Sequence, residues 1–258
     1  MAIVTFISDF GVNDFYTAAV KAKIYSISQN LKIVDITHSL SKHNIPQAAF
    51  ILKSVYKDFP KGTVHLVCVG RCSADDKILA LKLDEHYFVG ADNGLFSLIN
   101  DRPYTAIVEL KKDIANHNYI YSFPEKTTFA NAAAALANGM NIYNLGPQVS
   151  EIKTFLNRQP RPGKTMIEGY VIHVDSYGNI ITNITREMFE QNLENRRFEI
   201  FLRKEKIEKI SRDYYDSELN ELLALFNSQD LLEIAICEGS ASELFSIDIG
   251  HSIFIKFL

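Results

Sequence analysis

The sequence predicts two domains of different class, a mostly parallel α/β sandwich over residues 1–156 and a small all-β barrel over 166–258, joined by a linker at 157–165. Three observations point there. Through the first 150 residues, short apolar runs alternate with helical patterns, as in a parallel sheet covered by helices. The stretch N-R-Q-P-R-P-G at 157–163 carries two prolines and a glycine, a composition that interrupts regular structure. Beyond it come short β-rich segments with sparse helical matter. Hydrophobic residues make up 47% of 258, enough for full cores and too many for a disordered chain.

In order, the apolar run 3–7 is a first strand. It breaks at Ser8-Asp9-Phe10-Gly11 and resumes as a helix over 14–28, capped by Asn13 or Asp14. LKIVDI at 31–36 reads as a second buried strand, ending in Thr37-His38-Ser39. A helix follows over 45–56, with Pro46 in its first turn. TVHLVCV at 63–69 is a third strand, turning at Gly70. Strands at 78–83 and 86–89 run into Gly90-Ala91-Asp92-Asn93-Gly94. A short helix begins at 95, a strand lies at 106–110, and an alanine-rich helix over 128–139 stops at glycine. In the second half, strands are expected at 166–175, 180–182, 198–202, 231–236 and 252–257, with a helix near 187–193.

Composition limits the function classes. Net charge is −4 and no long basic block occurs, which argues against a nucleic-acid surface. No apolar run reaches the roughly 18 residues of a membrane span. MAIVTFISDF has no basic start and no small-residue cleavage site, so it reads as a strand and not as a signal peptide. The three cysteines, Cys68, Cys72 and Cys237, form no C-x-x-C pair. These features describe a reduced, cytoplasmic, enzyme-sized protein.

Acids and amides concentrate at strand ends, where open α/β sheets bind ligands. Asp9 either caps its turn or accepts hydrogen bonds from a ribose diol. Asp14 stands where a helix needs a cap. Asp92-Asn93-Gly94 is a common turn composition, because Asn and Gly tolerate positive φ. Asp175-Ser176-Tyr177-Gly178-Asn179 reads as a hairpin turn, but it also offers an acid, a stackable ring and an amide able to read an adenine edge. His38 and His43 lack the spacing and the neighbouring acid of a metal site, so no metal is expected. His65 reads as a satisfied histidine, and RKEKIEKISR at 203–212 as a solvated face or hairpin arm.

Six segments together resemble one family. They are S-D-F-G-x-x-D at 8–14, V-D-I-T-H-S at 34–39, F-P-K-G-T-V-H at 59–65, V-G-A-D-N-G at 89–94, V-D-S-Y-G-N-I-I-T-N-I at 174–184 and L-E-I-A-I-C-E-G-S-A-S-E-L at 232–244. In this order they are similar to the S-adenosylmethionine hydroxide adenosyltransferases, relatives of the fluorinase and chlorinase. The resemblance implies a homotrimer that binds S-adenosylmethionine between subunits and needs no further cofactor. It implies that Asp9 holds the ribose hydroxyls and Asp14 lines the methionine end. Asp92 and Asn93 belong to the same set of ligand turns. His43 occupies the place of a tryptophan in halogenating relatives. Asp175 would take the amino group and Asn179 the adenine, with Tyr177 beside it, while Gly239, Ser240 and Ala241 would offer backbone groups to adenine.

The implied reaction is hydrolysis at the ribose 5′ carbon to adenosine and methionine. In the family an Asp-Arg-His set handles the water, and this chain departs from it. Gly70 stands at the aspartate and Pro124 at the histidine, with Lys77 nearest the arginine and Arg71 a possible substitute for it. Arg71, Lys77, Asp75 and Glu125 are the candidate substitutes. The alternatives are a non-catalytic S-adenosylmethionine or adenosine binder, or an enzyme using another nucleophile.

Overall fold

The computed structural model describes residues 2–70, 76–99, 102–111 and 122–258. They form two compact units, Met1–Leu156 and Asn157–Leu258.

The first unit runs β1 (Ile3–Ser8), α1 (Tyr16–Ile27), β2 (Lys32–Thr37), α2 (Ile45–Val55), β3 (Val64–Cys68), β4 (Ile78–Leu83), β5 (His86–Ala91), α3 (Phe96–Ile99), β6 (Ala106–Glu109) and α4 (Thr128–Ala137). Its six-stranded sheet has the order β2-β1-β3-β5-β4-β6. The pairs β1–β2, β1–β3 and β3–β5 are parallel, and β4 is antiparallel to both its neighbours. Strand periodicity sorts side chains onto two faces. Val4, Phe6, Val64, Leu66 and Cys68 pack with Val20 and Ile24 of α1 and the alanines of α4. Ile7, Val67, Leu79 and Leu81 pack with α2 and α3 on the other face.

Two expectations need correction. The 31–36 strand is not fully buried: β2 lies at the sheet edge, with only β1 beside it, and its residues are half-buried or exposed. Helix α1 starts at Tyr16 with Phe15 at its cap position and no side-chain cap, so neither Asn13 nor Asp14 caps it. By contrast, Asn44 caps α2 through the amide of Gln47, and Pro46 sits in its first turn.

The second unit comprises β7 (Arg161–Pro162), β8 (Met166–Val174), β9 (Ile180–Thr185), α5 (Arg186–Leu193), β10 (Phe198–Leu202), β11 (Glu205–Ile207), β12 (Leu222–Phe226), β13 (Leu231–Ile236), α6 (Ala241–Phe245) and β14 (Ser252–Phe257). The path β11-β10-β14-β8-β9-β13-β12 is antiparallel throughout, with β7 on β8. Its ends approach one another, and the Ser211 amide donates to the Ala224 carbonyl at 2.7 Å, giving a nearly closed barrel. Ile167, Ile180, Ile200, Leu232, Ile234, Ile253 and Ile255 fill its core. The β7 pairing puts two residues of the expected linker into the sheet. The lysine-rich 203–212 stretch contains β11, a hairpin arm against β10.

His65 is a core residue of the first unit. Its Nδ1 lies 2.7 Å from Thr5 Oγ1, and its Nε2 lies 3.1 Å from His86 Nδ1. Burial, reinforced by the charge of His86, pushes its pKa down to about 3. The unfolded chain, with an ordinary histidine pKa near 6.5, binds this proton first. The contribution of neutral His65 is therefore fully present above about pH 6.5 and is lost as pH falls toward the folded value. Denaturant unfolding should lose up to about 1.4 kcal/mol per pH unit between roughly pH 6.5 and 5 from this group. The His65→Asn variant should show a shallower slope over that window, and an unchanged slope would refute the assignment.

Candidate functional site

The turn after β1 is built around Asp9, which is buried. Its Oδ2 accepts hydrogen bonds from the backbone amides of His43 at 2.8 Å and Gly70 at 3.1 Å. One carboxylate oxygen thus ties the end of β1 to the loop before α2 and to the end of β3. Among the described residues, Oδ1 takes no hydrogen bond.

Local structure explains both donors. His43 and Gly70 adopt positive φ, 61° and 80°. A Cβ at Gly70 would lie 3.0 Å from Ile45 Cδ1 and 3.1 Å from Asn93 Nδ2, so glycine meets a steric as well as a conformational need. The His43 ring is largely exposed, with Nδ1 3.9 Å from Asp9 Oδ2. On the other side, Ser8 Oγ lies 2.7 Å from His38 Nδ1, and His38 Nε2 stands 3.1 Å from Asp35 Oδ1. The Gly11 amide donates to the His38 carbonyl at 2.8 Å.

Asp14 is exposed, and among the described residues it makes no hydrogen bond or ion pair. Asp92 is buried, and its Oδ1 accepts from the Lys153 amide at 2.8 Å. Asn93 donates from Nδ2 to the Val69 carbonyl at 2.8 Å and accepts from the Leu95 amide at 3.2 Å. Asn93 therefore braces the ends of β3 and β5, while Asp92 ties the end of β5 to the segment that carries Lys153. Lys77 Nζ pairs with Glu109 Oε2 at 3.3 Å, on β6. Arg71 and Asp75 lie outside the described residues.

Pro124 and Glu125 are both buried, in a single 3-10 turn at Pro124–Lys126. The preceding Phe123 ring packs edge-on against Phe10, at 5.8 Å between centroids, and against Tyr16, at 5.2 Å. Burial pushes the Glu125 carboxyl above the usual carboxylate range. Its own backbone amide opposes that shift, and the charge of Asp9 adds to it.

In the second unit, Asp175 organises the β8–β9 turn. Its Oδ1 accepts from the Tyr177 and Asn179 amides, both at 2.9 Å, and its Oδ2 from Asn179 Nδ2 at 3.0 Å. The Ser242 amide donates to the Gly178 carbonyl at 2.9 Å, which fastens this turn to α6. Ser240 caps α6 through the Glu243 amide, and Ala241 is fully buried. Asp175, Tyr177, Asn179 and Ser240 line one cavity of about 670 Å³, within the range of small-molecule sites. Tyr214 and Tyr215 line it as well, and sequence reasoning missed them. Two adjacent aromatics in a polar loop were the available signal. The Tyr214 hydroxyl donates to buried Glu233 at 2.6 Å, and burial together with that carboxylate raises its pKa. Among the described residues, no group of three His, Cys, Asp or Glu side chains is placed to hold a metal.

Comparison with known proteins bears on both units. The family models for the SAM hydroxide adenosyltransferase N-terminal and C-terminal domains match residues 4–146 and 169–254. The chain belongs to the SAM hydroxide adenosyltransferase family. Among its relatives is the (R)-S-adenosyl-L-methionine hydrolase of Thermus thermophilus, 30% identical, with 98% of this chain and 99% of that one covered. The enzyme of the same name from Methanocaldococcus jannaschii is 28% identical, with 99% and 96% covered. A fluorinase of an Actinoplanes species is 23% identical over 73% of this chain and 74% of its own. The crystal structure of an uncharacterized conserved protein from Thermotoga maritima superposes with a TM-score of 0.90 at 27% identity, covering 98% of this chain and 99% of that one.

Gly178 has φ +80°, and a Cβ there would lie 2.0 Å from Ser240 Oγ. Gly178→Ala should therefore lower stability by about 1–3 kcal/mol and separate the turn from α6. Denaturant melts check the first effect, and amide exchange at Ser242 the second. A variant as stable and as protected as the parent would contradict this packing.

Proposed function

We propose that the protein binds S-adenosyl-L-methionine and hydrolyses it at the ribose 5′ carbon, releasing adenosine and L-methionine. The observation that carries this reading is the free Oδ1 of Asp9, at a strand end in a chain whose hydrolase relatives align over 98–99% of its length. Asp9 accepts the ribose hydroxyls on Oδ1 while Oδ2 keeps its backbone amides. Asp14, exposed and without an internal partner, lines the methionine end, and His43 borders the ribose. Asp92 and Asn93 act by holding the strand ends beneath the ligand. Asp175 takes the amino group on its remaining lone pair. Asn179, Tyr177 and the Ser240-Ala241 backbone meet the adenine, with Tyr215 as an added stacking surface. The protein works in the cytoplasm as a homotrimer with its ligand between subunits.

The reaction needs no metal or cofactor. The positive sulfonium is an activated leaving group, so no acid is required on that side. The site must align water behind the 5′ carbon, exclude competing water and accept a proton. Lys77, engaged with Glu109, contributes to charge balance near the strand ends; Arg71 remains a candidate for orienting the water.

Incubation of the purified protein with S-adenosylmethionine should yield adenosine and methionine in equal amounts by chromatography. No adenosine above a buffer control, with binding detected by calorimetry, would leave a non-catalytic binder instead. Asp9→Ala should weaken binding about 100-fold or more, the loss of two hydrogen bonds to a charged group. Asp9→Asn keeps an acceptor for the two amides, so it separates ribose contact from turn integrity. Unchanged affinity in both variants would exclude Asp9 as the ribose clamp.

A further inference from the structure

We propose that Glu125 is the residue that takes the proton from the attacking water, in place of the aspartate and histidine positions occupied here by Gly70 and Pro124. This inference rests on the hydrolase reading above. Its basis is a buried carboxyl that the fold gives no structural employment. Glu125 is 8% exposed, and no basic side chain among the described residues pairs with it. A buried carboxyl without a partner is costly, and such groups concentrate at functional sites.

Its placement is specific. The aromatic contacts of Phe123 with Phe10 and Tyr16 hold the Pro124–Lys126 turn against the strand end that carries Asp9. Glu125 and Asp9 are close enough for Asp9 to raise the Glu125 pKa, and burial raises it further. The environments of the two acids differ. Asp9 accepts two backbone amides on one oxygen, whereas Glu125 has only its own amide. A buried acid whose carboxyl is raised, set beside a second acid already bound by backbone amides, is suited to carry a proton. Asp9 holds ribose, and Glu125 is the carrier.

The step balances. The water oxygen bonds to the ribose 5′ carbon as the carbon–sulfur bond breaks, and that electron pair stays on sulfur as the neutral thioether of methionine. One water proton passes to the Glu125 carboxylate and then to solvent. The other remains as the adenosine 5′ hydroxyl.

The titration of Glu125 should appear in the rate. Asp9 faces it from the β1 turn, and Tyr16 of α1 packs on the adjoining Phe123. Lys126 follows it in its own turn, and α4 carries no ionisable side chain. Turnover should rise with pH along a limb displaced above the ordinary glutamate value of about 4.3.

The test compares wild type, Glu125→Gln, Glu125→Ala and Glu125→Asp in single-turnover adenosine formation, with S-adenosylmethionine affinity measured by calorimetry. Glu125→Gln should bind within about threefold of wild type and form adenosine 10²–10⁴-fold more slowly. Its acidic limb should vanish, and formate should restore part of the rate to Glu125→Ala. Glu125→Asp should retain more rate than either. Wild-type turnover in Glu125→Gln, with its acidic limb intact, would overturn the inference while leaving the hydrolase reading standing. A wild-type protein that binds but forms no adenosine would overturn both. If the variants fail to fold, the wild-type pH profile decides: a flat profile from pH 4.5 to 8 excludes Glu125.

Discussion

A single carboxylate oxygen, Asp9 Oδ2, ties the end of β1 to the loop before α2 and to the end of β3. It accepts from the His43 and Gly70 amides, which lie 34 and 61 residues away in sequence. Hydrogen bonds to an ionised group are worth more than neutral ones, and a buried carboxylate left without donors is expensive. The placement of the Gly70 amide follows from this constraint. So does the position of the loop before α2, whose first turn Asn44 then caps. Asn93 completes the ring by holding the Val69 carbonyl.

The second unit repeats the device with different topology. Asp175 satisfies three donors within its own turn, all from residues two to four positions away. This turn is closed by local contacts, whereas the Asp9 turn joins segments far apart in sequence. The close approach of Gly178 to Ser240 then fastens the hairpin to α6 and shapes the cavity beside Tyr214 and Tyr215. In both halves a carboxylate accepts two backbone amides on one of its oxygens and keeps acceptor capacity on the other. That is a rigid way to present a charge.

Most of the fold was legible because parallel strands buried on both faces read as continuous apolar runs. The failures have physical causes. Strand β2 has the same composition as its neighbours, and only the sheet order reveals it as an edge. β12, the five residues LLALF, suits helix or strand equally until it pairs with β13. β11 agrees with the reading of 203–212 as a hairpin arm, with only Ile207 of its three residues buried. At the site, the acids at strand ends were readable from position alone. Their partners were not, since the donors to Asp9 are backbone amides that no residue identity announces. The burial of Glu125 was equally invisible, because a glutamate between proline and lysine reads as a surface turn.

The central claim is that Asp9 divides its two oxygens between the fold and the ligand. A crystal structure with S-adenosylmethionine or adenosine bound tests it most directly. The ribose hydroxyls should lie about 2.7–3.2 Å from Asp9 Oδ1, while Oδ2 keeps the His43 and Gly70 amides. A ribose bound elsewhere, or an Asp9 Oδ1 that faces no ligand atom, would contradict the account.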